Sequence, residues 1–273
     1  MPELPEVEVV RRGVEAAATG RRVAGVVARV PRLRWPIPPG LDALLRGRVL
    51  LSAQRRSKYL LLHFEPGVLI IHLGMSGTFT WLPSHTPVQR HDHFDLLLEG
   101  GVLRLNDPRR FGAVLWSPAQ GPALEEHALL RDLGIEPFAP AFDGGVLYRL
   151  TRGRRSSIKA VLLSGVVVVG VGNIYASESL HRAGIRPGIA AGRLSRPRCD
   201  RLAEAIRATL TDAIAAGGSS LRDFVSSAGQ AGHFQLECRV YGRAGQPCRA
   251  CGAPIRRQVQ QQRASYWCPA CQR

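Results

Sequence analysis

Four of the six cysteines in this 273-residue chain fall as two Cys-x-x-Cys pairs, Cys248 with Cys251 and Cys268 with Cys271, separated by sixteen residues. Each pair presents two thiolates from one tight turn, and two such turns complete the tetrahedron of a structural zinc ion. Four thiolates leave no open coordination position, so the expected role of one zinc ion is to fold a segment too short to bury its own core. A redox role for both pairs is the weaker alternative. Cys199 and Cys238 have no partners at ligand spacing and read as ordinary small residues.

The cationic residues are 35 Arg and two Lys, Lys58 and Lys159. A coding bias toward Arg accounts for the ratio. A lysine retained against that bias is a candidate for chemistry, because its amine can shift its pKa and exchange a proton and a guanidinium cannot; chance retention is the alternative for either one. Gly170-Val171-Gly172-Asn173 is a third candidate, since paired glycines allow close backbone approach and Asn173 can cap a following helix. A helix N-terminus behind such a pair can cradle a phosphate, and a tight structural turn explains the pattern as well.

These residues must be positioned by the rest of the chain, which is strongly basic, with 37 Lys and Arg against 21 Asp and Glu for a net charge of +16. The excess is spread out: residues 1–120 carry 16 basic and 10 acidic side chains, 121–235 carry 14 and 10, and 236–273 carry 7 and 1. A basic face across the whole molecule favours a polyanionic partner over a merely solvated surface. No apolar run approaches the roughly 18 residues that span a bilayer. The opening Met1-Pro2-Glu3-Leu4-Pro5-Glu6 has acids and prolines where a secretory leader needs a basic and then an apolar region, so a cytoplasmic protein with no membrane attachment is expected.

Pro5, Glu6 and Glu8 suit the first turn of a helix that Gly20 stops. From about residue 22 to 116 the pattern changes to short β-branched or Leu-rich runs (23–30, 49–52, 59–64, 68–73, 94–98, 102–105 and 113–116) punctuated by Gly, Pro and Asp, which predicts a β-sandwich or barrel. Beyond Pro118 the period becomes helical, with helices predicted over 123–133, 145–150, 156–163, 173–183 and 196–216. The fold class is therefore α+β, with an N-terminal domain over 1–120, a helical domain over 121–235 and a zinc-ribbon finger over 236–273.

In order along the chain, Pro2-Glu3-Leu4-Pro5-Glu6-Val7-Glu8, Arg55-Arg56-Ser57-Lys58-Tyr59, His72-Leu73-Gly74-Met75-Ser76-Gly77, Asp107-Pro108-Arg109-Arg110-Phe111-Gly112, Gly170-Val171-Gly172-Asn173-Ile174-Tyr175-Ala176 and the cysteine ribbon resemble the formamidopyrimidine-DNA glycosylase family. The resemblance covers essentially the whole chain. It implies an N-terminal β-sandwich with flanking helices, a helix-two-turn-helix domain, a zinc finger, and a monomer that removes oxidised purines from double-stranded DNA and then cleaves the strand by β- and δ-elimination.

The same resemblance assigns roles. With Met1 removed, Pro2 supplies a secondary amine that attacks the sugar C1′; the resulting iminium cannot lose a proton to a neutral imine and so acts as an electron sink. Glu3 moves protons at the sugar ring and Glu6 supports it, whereas on spacing alone both also read as acids matched to a helix dipole. Lys58 acts in β-elimination and Arg263 in δ-elimination. Met75, Arg109 and Phe111 fill the gap left by a flipped base, although apolar residues such as Met75 and Phe111 are more often core. His91, Arg154, Lys159 and Asn173 grip phosphates. In the lesion-capping loop, about 216–235, Ala231 and His233 stand where many members have proline and tyrosine. Two rival readings are an endonuclease VIII-type enzyme for oxidised pyrimidines, disfavoured by Leu4, Val7 and the Asp-Pro-Arg-Arg-Phe-Gly motif, and a non-enzymatic zinc-finger DNA-binding protein, which would leave Pro2, Glu3 and Lys58 idle.

Overall fold

A computed structural model describes residues 2–219 and 238–273. The chain divides into two compact units, Met1–Arg131 with Ala216–Gln235, and Asp132–Ala215 with Leu236–Arg273.

The first unit opens with helix α1, Leu4–Ala18, which turns Val7, Val10, Val14 and Ala18 inward at helical spacing. Eight strands follow: β1 Val23–Ala28, β2 Ser52–Arg56, β3 Tyr59–Phe64, β4 Gly67–His72, β5 Thr78–Leu82, β6 Asp92–Leu98, β7 Gly101–Asn106 and β8 Ala113–Pro118, with the five-residue helix α2, Leu41–Leu45, between β1 and β2. They form two four-stranded sheets in the orders β1-β6-β7-β5 and β2-β3-β4-β8. Every pairing is antiparallel. Alternate residues of both sheets (Leu60, Leu62 and Phe64 on one, Phe94, Leu96, Leu103 and Leu105 on the other) join α1 in a single hydrophobic core, so the expected sandwich is present. On the opposite face of the second group, Asp95 and Arg104 are cross-strand partners joined by two 2.9 Å hydrogen bonds and buried, a pair in which each ion compensates the other's loss of water.

The second unit contains α3 Gly144–Thr151, α4 Ile158–Ser164, α5 Asn173–Arg182 and α6 Arg196–Ala215, followed by the hairpin β9 Arg256–Gln260 and β10 Arg263–Trp267. The helix expected over 123–133 does not form; only a single 3-10 turn, Leu124–Glu126, is present. Leu130 is buried there and Leu124, Leu129 and Leu133 are half-buried without a continuous helix. Asn173 is likewise not a cap: Gly172 holds the N-cap position and Asn173 is the first helical residue.

At the end of β4, Gly74 adopts φ +64°, and a Cβ there would lie 2.5 Å from the backbone of Phe111 and Gly112. The 74–77 turn and the 107–112 loop can therefore approach only because position 74 is glycine. Gly74→Ala combines left-handed strain of about 1–2 kcal/mol with overpacking of about 1–3 kcal/mol. Denaturant unfolding should show a loss of roughly 2–5 kcal/mol; a change below about 0.5 kcal/mol would mean that the approach is not constrained.

Candidate active site and metal centre

At the first turn of α1, Glu3 is 3% and Glu6 1% exposed, and Pro2 is buried beside them. Glu3 is the N-cap and closes a capping box: its carboxylate accepts the Glu6 N–H, and the Glu6 Oε2 accepts the Glu3 N–H at 2.7 Å. The other oxygen of Glu6 accepts both the N–H and the hydroxyl of Ser219, at 2.7 and 2.9 Å. Gly218, with φ +85°, leaves room for this contact; a Cβ there would be 3.1 Å from Glu6 Oε1. The two acids expected from the sequence are thus together, and they are held by backbone and side-chain donors instead of simply matching a helix dipole.

Lys58 lies in the two-residue connection between β2 and β3, closed by the pairing of Arg56 with Tyr59 and turned by Ser57 at φ +56°. This turn is suspended from α1. Glu8 accepts Arg55 Nε at 3.2 Å, and Arg55 in turn donates 2.9 Å to the Ser57 carbonyl. Burial pushes the Glu8 carboxyl up, but Arg11, Arg12 and Arg55 outweigh it and hold it below the usual carboxylate range. Close by, burial and then the charges of Lys58 and Arg34 lower His72 to about 4. The imidazole is therefore neutral at pH 7, with its Nδ1 accepting the Gly74 N–H at 3.1 Å and its ring 4.9 Å from that of Tyr59.

Met75 and Phe111 are 40% and 44% exposed, which sets them apart from core residues. The guanidinium of Arg109, also exposed, lies 5.1 Å from the Phe111 ring centroid. Asp107, fully buried, shapes their loop: its Oδ2 accepts the Gly112 N–H at 2.7 Å and its carbonyl accepts the Arg110 N–H at 3.1 Å. Burial raises its pKa despite those donors. His91, at φ +75°, accepts the Asp107 N–H through its carbonyl, so it belongs to the same loop cluster.

The remaining expected site residues lie in the second unit. Arg154 is exposed and donates through Nε to the Leu150 carbonyl at 2.8 Å. Asn173 follows Gly170, at φ +78°, and its Oδ1 is buried without a hydrogen-bond partner among the described residues. Arg263 is exposed and opens β10 directly after the left-handed Gln261 and Gln262. Lys159, expected as a phosphate grip, lies in α4. Only 2% exposed, its amine donates 2.8 Å to the Ala264 carbonyl and 2.9 Å to the Ser265 hydroxyl, which ties α4 to the strand that begins with Arg263. The residues of the loop about 216–235 that bear on lesion recognition, including Ala231 and His233, lie outside the described residues.

The four ribbon cysteines converge, with all Sγ atoms within 4.8 Å of one another. Two of the separations are 3.9 Å (Cys248 to Cys271) and 3.4 Å (Cys251 to Cys268). A zinc tetrathiolate with bonds of about 2.3 Å has sulfur separations of roughly 3.8 Å, so the cluster fits one structural zinc ion. Without a cation the thiols resist ionising together. Hydrogen bonding with Cys251, then burial, pushes Cys271 up to about 12. Burial also raises Cys248, yet the Ala250 N–H, His181 and the Cys251 N–H bring it down to about 6. Zinc supplies the positive charge that four thiolates need, and a cross-link between the two ends of the ribbon. Cys199 is buried in α6, and burial raises its thiol.

Sequence reasoning missed Glu178 of α5, which is buried and accepts the N–H groups of Arg239, Val240 and Tyr241 at 2.8, 3.0 and 2.8 Å. Its signal was available as a lone acid in the run Ile174-Tyr175-Ala176-Ser177-Glu178-Ser179-Leu180.

Comparison with known proteins places this geometry in context. Residues 1–114 match the formamidopyrimidine-DNA glycosylase N-terminal domain, 133–225 the H2TH domain of the same enzyme, and 245–273 a zinc finger found in FPG and IleRS. Formamidopyrimidine-DNA glycosylases of Burkholderia cenocepacia and Burkholderia pseudomallei are 59% and 58% identical, over 100% of both chains in each case. Among solved structures, MutM (Fpg) from Thermus thermophilus is similar with a TM-score of 0.88 and 39% identity, covering 99% of this chain and 98% of that one. A Lactococcus lactis Fpg in complex with abasic-site DNA gives 0.91 and 33%, covering 99% of each. Identity of this order along the full length of both chains, on the same fold, makes this chain a member of the formamidopyrimidine-DNA glycosylase family.

Proposed function

We propose that this protein is a base-excision repair enzyme that releases oxidised purines, 8-oxoguanine and formamidopyrimidines, from double-stranded DNA and then cleaves the strand. The observation that carries the reading is the buried first turn, where Glu3 and Glu6 are fixed beside Pro2 and the Lys58 turn hangs from the same helix.

With Met1 removed, the Pro2 nitrogen attacks C1′ as the bond from C1′ to the base breaks, and the base leaves with the electron pair. Glu3 moves a proton to the ring oxygen as the sugar opens, which leaves a cationic iminium between Pro2 and C1′. Loss of the C2′ proton expels the 3′ phosphate, and a second elimination expels the 5′ phosphate. Lys58 serves the first elimination and Arg263 the second, and water finally hydrolyses the iminium. Glu6 acts as a positioning residue through its hold on Glu3 and Ser219.

Met75, Arg109 and Phe111 form the wedge that replaces the flipped nucleotide; their exposure on two loops locked together at Gly74 supports this. His91, Arg154 and Asn173 contact phosphates. Lys159 acts indirectly, by seating the strand that carries Arg263. The protein works as a monomer in the bacterial cytoplasm, and among the described residues no helix is long and apolar enough to cross a membrane.

In strand-cleavage assays, 8-oxoguanine opposite cytosine should be processed faster than any oxidised pyrimidine. A pyrimidine preference would assign the enzyme to the endonuclease VIII type, and binding without cleavage would leave a DNA-binding protein. Glu3→Gln should slow base release by about 10²–10⁴-fold with duplex affinity retained; release at the parent rate would remove Glu3 from the chemistry.

Replacing Cys248 or Cys268 by Ser should release zinc and abolish DNA binding while the first unit keeps its circular dichroism. Affinity of the intact protein should fall steeply with salt, since neutralised phosphates release counterions. Full duplex affinity in a zinc-free variant would contradict the role given to the finger.

A further inference from the structure

The ribbon is docked on α5 by more than the Glu178 contacts. His181, in the last turn of that helix, is 7% exposed, and its Nε2 lies 3.8 Å from Cys248 Sγ. Its Nδ1 is buried and has no hydrogen-bond partner among the described residues. These two facts select a tautomer. With the proton on Nδ1, the ring would bury a donor that has no acceptor and aim a lone pair at an anionic sulfur. With the proton on Nε2, the donor meets the thiolate.

We propose that His181 is an outer-sphere partner of the zinc centre, donating its Nε2–H to the thiolate of Cys248. A zinc bound by four thiolates carries two net negative charges, and one charge-assisted hydrogen bond from a buried ring removes part of that excess from one sulfur. The same contact fixes the ribbon on α5. Glu178 holds the chain entering the ribbon, at residues 239–241, and His181 holds its first ligand one helical turn further on. Two residues past the helix end, Gly184 accepts the Arg273 N–H at 3.2 Å, so the chain leaving the ribbon returns to the same place. His181 is thus a positioning residue for the metal and takes no part in reactions on DNA.

The test uses the full chain with the metal exchanged. In the cobalt(II) form, loss of a hydrogen bond to sulfur makes the thiolate easier to oxidise, so His181→Phe should move the sulfur-to-cobalt charge-transfer band to lower energy. In the zinc form the same variant should lose metal to a chromophoric chelator about tenfold faster or more. His181→Gln, which keeps an N–H at similar reach, should recover part of both effects. A band position and a release rate in His181→Phe equal to those of the parent would overturn the proposal, as would Gln and Phe behaving alike. If neither variant folds, the unaltered protein loaded with ¹¹³Cd decides: a slowly exchanging imidazole proton of His181 should show scalar coupling to the metal through the hydrogen bond. A His181 ring proton that is seen but uncoupled would refute it.

Discussion

The carboxylate of Glu6 is the fixed point around which the first turn of α1 is built. It is 1% exposed and accepts from the Glu3 backbone with one oxygen and from both Ser219 donors with the other. Hydrogen bonds to a charged group contribute about 1.5–3 kcal/mol each. The arrangement binds residues more than two hundred positions apart in sequence, and it does so at the residue next to Pro2. An amine at the beginning of a chain is ordinarily the least ordered group in a protein. Glu3, which follows Pro2, is held by the Glu6 side chain within a capping box.

Around that point, polar groups order the backbone, while Met75, Arg109 and Phe111 stay exposed. Glu8 and Arg55 hold the Ser57 carbonyl, and the Lys58 turn follows. Asp107 holds Gly112, and Gly74 can then approach the loop that displays Phe111. In the second unit the buried amine of Lys159 and the buried carboxylate of Glu178 do equivalent work for the ribbon. For Asp107 and Glu178 the buried carboxyl accepts backbone N–H groups of an irregular segment, which would otherwise have no ladder to hold its shape.

Much of this was legible in the sequence. Strand 59–64 appeared with its observed bounds because Leu60, Leu62 and Phe64 alternate toward one core and bounding residues break the run. The cysteine spacing was sufficient to place the metal cluster. Other features were hidden for physical reasons. Thr78–Leu82 alternates toward the core through Phe79 and Trp81, but at five residues the run is too short to stand out. The 123–133 run has helical spacing, yet its leucines are buried or half-buried from turns, and spacing alone cannot reveal that. The charge of Lys159 is visible in sequence, whereas its burial against Ala264, over a hundred residues away, is a tertiary fact. Met75 and Phe111 are the converse case: their type suggests a core, and their exposure emerges only from the turn geometry at Gly74.

In the proposed reaction the first turn presents Pro2 as the nucleophile, and covalent trapping probes that step. Borohydride added during reaction with an 8-oxoguanine duplex should reduce the iminium and leave protein joined to DNA, with little adduct on an undamaged duplex. Digestion and mass spectrometry of that adduct should place the sugar on the nitrogen of Pro2, and protein that retains Met1 should not trap. An adduct mapped to Lys58, formed equally well when the Pro2 nitrogen is blocked, would make Lys58 the nucleophile instead of Pro2.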